Sequence, residues 1–328
     1  MEVFRSLDEA AAAGTLRGCA VAVGNFDGVH LGHQRLLAVA RERARARGGR
    51  AVVLTFDPHP VRVLRPQLAP PLLTPLARKL ELLEDHGMDA VVVQPFDLAY
   101  AATPAAEFAG RDLAGRLGAA EVVVGYDFTA GHERARVDAL RPLLAGYRVL
   151  LHVVDPVTSD GLVVSSTKVR EFLLEGNVEA AALLLTRAYD LDGVVVRGAG
   201  RGHGFGFPTA NVQTTALLPA NGVYVVRAVV GGLPSGAEAR EGAAPGKGAA
   251  HGGVCNVGVK PTVETDGRLV AEAHLFEFDG RDLYGEPIRI AFVARLRDER
   301  RFPSVDALRA QIAADVSRAR DVLSAAPM

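Results

Sequence analysis

Val23-Gly24-Asn25-Phe26-Asp27-Gly28-Val29-His30-Leu31-Gly32-His33 is the stretch whose reading decides the fold. Cys19 to Val23 before it is a short apolar run, the length of a buried strand. Gln34 to Arg47 after it is helix-forming. Two histidines, an amide, a carboxylate and several glycines therefore fall in one strand-to-helix turn. In an open parallel sheet such a turn lies at the carboxyl end of a strand, where ligands bind. The first N–H groups of the following helix favour an anion there. His30 and His33 share a face of the starting helix and can both donate to phosphate oxygens. Gly24 and Gly32 let a phosphate chain approach the backbone, and Asn25 and Asp27 can hold a hydroxyl or a hydrated magnesium ion. A capped helix start with two surface histidines, or zinc held by both histidines and a carboxylate, are the competing readings. The glycines of the full string favour phosphate.

Working outward, 328 residues are ample for two domains, and 49% hydrophobic residues argue against global disorder. A net charge of -1 argues against nucleic-acid and membrane-surface partners. Arg41 to Arg47 reads as one solvated helix face. Cys19 and Cys255 make neither a disulfide framework nor a zinc motif. No signal pattern opens the chain and no apolar run is long enough to span a bilayer, so a cytoplasmic protein is expected.

Arg50 to Thr55 predicts a second strand, ending in the stiff loop Phe56-Asp57-Pro58-His59-Pro60, where His59 is a candidate phosphate or ribose contact. Leu72 to Asp85 reads as a helix with Thr74 as N-cap and Pro75 at its first position. Strands at Ala90–Gln94, Glu121–Val124 and Arg148–Val154 alternate with helices from Thr103 to about Leu117 and from Val137 to Ala145. That alternation predicts an α/β doubly wound parallel sheet. Ser165-Ser166-Thr167-Lys168-Val169-Arg170 then opens a helix with two cations in its first turn. Cations there oppose the helix dipole and make sense if a polyphosphate neutralises them. Neither a P-loop nor a Gly-x-Gly-x-x-Gly dinucleotide motif is present.

Gly24 to His33 with Ser165 to Arg170 resembles the HxGH-type nucleotidyltransferases. The resemblance implies that these residues bind ATP phosphates while an acceptor phosphate attacks the α-phosphorus. Such a nucleophile is already ionised, so positioning and charge stabilisation suffice.

A domain boundary is expected near Thr186, giving domains 1–186 and 187–328. Asn177 caps a last helix, Val178 to Leu185. Beyond the boundary, β-runs at Leu191–Val196, Gly222–Val230, Val254–Val259, Glu272–Phe278 and Ile288–Leu296 predict a β-barrel, closed by a helix that Ser304 caps. Arg197 to Asn211 carries Gly200, Gly202, Gly206 and Pro208, a mobile backbone able to wrap phosphates. Thr209 and Asn211 point the same way in an extended segment and suit Mg2+. Glu272 lies in an apolar strand. Turned inward at the barrel end it could act as a general base, while outward and solvated it is equally allowed by alternation. Gly231 to Gly253 reads as a disordered insertion.

Gly206-Phe207-Pro208-Thr209-Ala210-Asn211, Gly222-Val223-Tyr224, Asn256 to Thr262, Glu272-Ala273-His274-Leu275 and Asp282-Leu283-Tyr284-Gly285 are similar to riboflavin kinase. Together with the N-terminal motifs, almost the whole chain resembles the bacterial bifunctional riboflavin kinase/FMN adenylyltransferases. The resemblance implies ATP as co-substrate, riboflavin and FMN as further partners, and FMN and FAD as products. It implies that Thr209 and Asn211 hold Mg-ATP and that Glu272 activates the ribityl hydroxyl. His30, His33, Asp127, Ser165, Ser166, Thr167 and Arg170 would serve adenylyl transfer, and Phe56, Pro58, His59 and Arg297 would meet flavin. The chain departs from the family at Ala130-Gly131 and His132 to Arg136. Adenylylation of another phosphate acceptor, or a non-catalytic flavin-binding module, remain the rival functions. A monomer or weak homo-oligomer is expected.

Overall fold

The structure is a computed structural model that describes residues 1–197, 209–231, 249–259, 269–278 and 282–325. It divides into two compact units, one of residues 1–70 and 78–165, the other of 71–77 and 166–328.

The first unit is built on β1 (Glu2–Phe4), β2 (Ala20–Val23), β3 (Ala51–Asp57), β4 (Ala90–Pro95), β5 (Glu121–Gly125) and β8 (Leu150–Val154). The hairpin β6 (Thr129–Ala130) and β7 (Ala135–Arg136) lies between the last two in sequence, and a second hairpin, β9 (Thr158–Ser159) and β10 (Leu162–Val163), follows β8. The six strands pair in the order β1-β4-β3-β2-β5-β8, and every pair is parallel. Strands buried on both faces must be apolar throughout, and Ala20 to Val23 and Val52 to Leu54 are almost wholly inaccessible. After β2 the chain builds outward through β3 to β4, then returns to β5 on the other side. The β2–β5 crevice is thus the switch point at which ligands bind in such sheets. The expected doubly wound sheet is present.

Ser6 is a side-chain N-cap that the reading by hydrophobic runs passed over. The Glu9 amide donates to Ser6 Oγ at 3.1 Å and the Arg5 amide to Glu9 Oε2 at 2.5 Å. This cap starts the helix Leu7–Ala13, which Gly14 ends in the left-handed conformation. The fourth helix begins at Leu76, not at Pro75. Leu72 instead pairs with Ala216, its carbonyl accepting from the Leu217 amide at 2.8 Å. Arg41 to Arg47 is not one solvated face. Arg41 donates to the His86 carbonyl at 3.1 Å, Arg47 reaches the buried Glu121 at 3.4 Å, and Arg43 Nε is buried.

In the second unit a closed barrel runs β11-β12-β15-β14-β13-β16. Its strands are β11 (Tyr189–Val196), β12 (Ala210–Gln213), β13 (Gly222–Val230), β14 (Ala249–Val259), β15 (Leu269–Leu275) and β16 (Pro287–Arg297). The expected barrel and closing helix (Val305–Ala325) are present, with Ser304 Oγ accepting from the Ala307 amide at 3.1 Å. Residues 249–253, expected within a disordered insertion, are strand, because Val226 to Val230 supply a continuous ladder for them. Residues 232–248 lie outside the described set.

The helices Ser166–Leu174 and Val178–Leu185 belong to the compact unit of the barrel. Arg295 ties them there, donating to the carbonyls of Glu175 at 3.1 Å and Asn221 at 2.7 Å while its amide donates to Glu179 at 3.1 Å. Compactness therefore divides the chain about one helix pair before the boundary read from sequence. No helix among the described residues is long and apolar enough to cross a membrane.

Candidate active sites

Gly24 to His30 leaves β2 through a turn that uses two unusual backbone conformations. Phe26 and Val29 have φ of 48° and 43°. Non-glycine residues adopt this region at a cost and cluster at functional turns. Both side chains are fully buried, which holds the turn in place. Thr55 Oγ1, at the neighbouring strand end, donates to the Asn25 carbonyl at 3.3 Å.

His30 is the N-cap of the helix Leu31–Arg47. Its Nδ1 accepts from the His33 amide at 3.4 Å. With Nδ1 accepting, the neutral ring carries its proton on Nε2. The two imidazoles stack, centroids 3.7 Å apart and planes 18° apart. A Cβ at position 32 would meet the His30 ring at 3.2 Å, so Gly32 first makes room for that histidine. Burial, and then the charges of His30 and Lys79, push the His33 pKa well below its usual value. His33 is neutral at pH 7, and its Nδ1 is buried with no hydrogen-bond partner among the described residues.

Lys79 was not singled out from sequence. It projects from the helix Leu76–Asp85, is only 5% exposed, and its charge interacts with the carboxylates of Asp27 and Asp57. Asp27 is 1% exposed. A lysine on an otherwise amphipathic helix gives no sequence signal of burial, so only the fold reveals it.

Phe56 closes β3 against Phe96 and Tyr100, with centroids 5.7 and 6.1 Å away. His59 caps the short helix Pro60–Leu64, its Nδ1 accepting from the Val61 amide at 3.2 Å, and Pro58 precedes it. Asp127 is exposed beyond β5. The departing loop is an ordered hairpin. Glu133 Oε1 accepts from the Ala105 amide at 2.8 Å, and hydrogen bonds from its own backbone and then from Ala105 hold its carboxyl below the usual range. Ser165 ends the first unit. Ser166, Thr167 and Arg170 open the helix Ser166–Leu174 of the second, where Arg170 Nε donates to the Pro71 carbonyl at 2.9 Å.

In the barrel, register puts Val196, Asn211, Glu272, Asn256 and Val223 in one row across neighbouring strands. Directly opposed residues share a face. Val223 packs with Ala319 of the closing helix, so this face is the outer wall. Ala271 and Ala273, on either side of Glu272, fill the interior. Glu272 is therefore not inward, since the interior is packed with apolar side chains. It is not fully solvated either: it is half-buried between Asn211 and Asn256. Asn211 is 5% exposed, and its Oδ1 is buried without a hydrogen-bond partner among the described residues. An acceptor left so is costly unless something completes it. A neutral amide oxygen two residues from the Thr209 hydroxyl fits a hard cation that keeps other oxygen ligands. Gly200, Gly202, Gly206 and Pro208 lie outside the described residues.

Arg297 ends β16. Its Nε and Nη2 grip Asp315 of the closing helix at 3.0 and 2.8 Å, and Nη1 donates to the Asp298 carbonyl at 2.9 Å. Most of its donors serve the fold.

Residues 13–168 match the family model described as FAD synthetase, and residues 185–323 match that described as riboflavin kinase. Three curated relatives are named bifunctional riboflavin kinase/FMN adenylyltransferase. That of Pseudomonas fluorescens is 38% identical over 93% of this chain and 93% of its own. That of Bacillus subtilis is 34% identical over 91% and 90%. That of Escherichia coli K12 is 36% identical over 93% and 92%. A solved structure described as a macrolide-efflux protein from Streptococcus pneumoniae superposes with a TM-score of 0.82 at 29% identity, covering 97% of this chain and 98% of that one.

Proposed function

The chain belongs to the bifunctional riboflavin kinase/FMN adenylyltransferase family, and from that premise we propose which residues carry each of its two reactions. It is a transferase that makes FMN from riboflavin and ATP and FAD from FMN and ATP. Residues 1–186 are assigned the adenylyl transfer and 187–328 the kinase step. One observation carries the assignment. Each motif holds a nearly inaccessible polar atom with no hydrogen-bond partner among the described residues, His33 Nδ1 in one and Asn211 Oδ1 in the other.

In adenylyl transfer an oxygen of the FMN phosphate attacks the α-phosphorus of ATP, and pyrophosphate leaves with the bonding electrons. The attacking oxygen is already ionised, so no base is needed. A neutral His33 stacked on the His30 cap suits this step, because imidazole N–H groups can donate to phosphate oxygens and no proton has to be removed. Gly24, Asn25, Asp27 and Gly32 shape the turn around those oxygens. Asp127, Ser165, Ser166, Thr167 and Arg170 are assigned to ATP on their motifs. Phe56, Pro58 and His59 are assigned to the flavin, with the aromatic group of Phe56, Phe96 and Tyr100 as a wall suited to a planar ring.

In the kinase step Glu272 takes the proton of the ribityl hydroxyl as its oxygen attacks the γ-phosphorus and ADP leaves. The half-buried carboxylate is held on the barrel wall between two amides, which supports this role. Thr209 and Asn211 would hold Mg2+, which when bound neutralises charge on the triphosphate. Gly200, Gly202, Gly206 and Pro208 are assigned to ATP on sequence alone. Arg297, already committed to Asp315, would border the flavin rather than donate to it. Two buried, free cysteines suit a reducing cytoplasm, and a monomer or weak homo-oligomer is the expected state.

Incubating the protein with riboflavin, ATP and magnesium and chromatographing the flavins tests the pair of reactions. Glu272→Ala should abolish FMN formation while sparing FAD formation from supplied FMN, and His30→Ala should do the reverse. Loss of both steps in either variant would break the assignment.

A further inference from the structure

Lys79 is a buried lysine that the described residues around it do not pair. It is 5% exposed. Among the described residues its ammonium makes no hydrogen bond and no ion pair within 4 Å. Asp27 and Asp57 attract it only at longer range, and desolvation outweighs them. Burying an ammonium is expensive unless it is paired and hydrogen-bonded. The helix that carries it gains nothing from the charge: its neighbours Leu80, Leu82 and Leu83 are buried apolar residues, and a methionine would fill the same space.

The position of the charge says what would complete it. Asp57 ends β3 and Asp27 follows β2, so the ammonium is flanked by the carboxyl ends of these two adjacent strands. It is close enough to the histidine turn to act on His33. The aromatic group of Phe56, Phe96 and Tyr100 belongs to the β3–β4 side of the sheet, the same side as Asp57. The switch-point crevice opens on the other side of β2, towards β5. A ligand with a planar ring and a phosphate could therefore place its ring against the aromatics and its phosphate at Lys79. The histidine cap would remain for the triphosphate. His33 is neutral and offers no fixed full charge to an incoming dianion, whereas the Lys79 ammonium does.

We propose that Lys79 binds the phosphomonoester of the acceptor, FMN, and positions its oxygen for attack on ATP. The proposal rests on the adenylyl-transfer reading of this unit. Balance holds without proton transfer. One phosphate oxygen of the acceptor forms the new bond to the α-phosphorus, the bond to the β-phosphate oxygen breaks, and pyrophosphate departs with that electron pair. Burial pulls the Lys79 pKa down, and the charge of the bound phosphate favours its ammonium form. Asp27 and Asp57 help keep it charged before the acceptor arrives.

The test is Lys79→Met in the full chain, assayed by pyrophosphate release with supplied FMN, by FMN formation from riboflavin, and by melting with and without FMN. The expected result is a fall of about fiftyfold in kcat/KM for FMN, the loss of one charge-assisted contact. KM for ATP and the riboflavin kinase step should change little. FMN should no longer raise the Tm of the variant, and the ligand-free variant should melt no lower than wild type, because an unpaired buried charge has gone. Unchanged KM for FMN would overturn the proposal. So would a variant that melts lower or fails to fold, since the ammonium would then serve the structure. If wild type itself made no FAD from FMN, the adenylyl-transfer reading would be at fault instead.

Discussion

Arg297→Met separates a strut from a ligand contact. Arg297 and Asp315 join the last barrel strand to the closing helix, and their side chains are 20% and 8% exposed. Removing one partner of a buried ion pair costs about 3–5 kcal/mol, because the other charge stays buried alone. Asp315 would keep one bond, from Gln311 Nε2 at 2.7 Å, and the arginine end is partly wet. The lower end, about 3 kcal/mol, therefore applies. For a unit of this size about 1 kcal/mol moves a melting midpoint by roughly 2–4 °C, so the expected drop is about 6–12 °C. Riboflavin kinase activity measured against temperature reports the unit directly, with FAD formation from supplied FMN followed in the same samples. The kinase midpoint should fall by that amount, while riboflavin turnover well below it stays within a few-fold of wild type. A kinase midpoint within about 2 °C of wild type would refute the strut. If turnover also collapsed in the cold, Arg297 would be a flavin contact after all.

Two further outcomes follow from buried titratable groups. The His33 pKa lies below its unfolded value of about 6.5, so the unfolded chain binds this proton more readily. Stability attributable to His33 is complete above about pH 6.5 and is lost as pH falls, by at most about 1.4 kcal/mol per pH unit. Melting from pH 7 to 5 should show that slope in wild type and a shallower one in His33→Asn; equal slopes would contradict it. Burial pushes the thiols of Cys19 and Cys255 up to about 12. A disulfide reagent at pH 8 should therefore release no thiol signal until denaturant is added, and rapid release from native protein would refute their burial.

Much of the fold was legible because its signals are local. The apolar run before Gly24 and the helix after His33 need only a few residues to be recognised, and both appear where the pattern put them. Asn177 caps its helix through Oδ1, which accepts from the Ala180 amide at 3.0 Å, as its residue type suggested. The four-residue strand β12 was missed because so short a run is not distinguishable from loop until β11 and β15 flank it. Glu272 shows a different limit. Period-two alternation says that neighbours face opposite ways, but not which way is in. The small residues Ala271 and Ala273 decided that, by fitting a barrel interior already filled by Tyr189, Tyr224 and Phe292.

Lys79 and Arg297 mark the opposite errors that sequence invites. A lysine on an amphipathic helix is read as solvated, and an arginine at a strand end of an enzyme is read as a ligand contact. Here the lysine is buried without a close partner among the described residues, and the arginine is spent on a carboxylate of the closing helix. The difference lies in carboxylates contributed from 18 to 52 residues away: Asp315 pairs with the arginine, while Asp27 acts on the lysine only at longer range. No window of local sequence contains them. What separates function from scaffold in both cases is whether the fold already satisfies the charge. Arg297 is satisfied, so its removal should be felt as stability. Lys79 is not, so its removal should be felt as affinity.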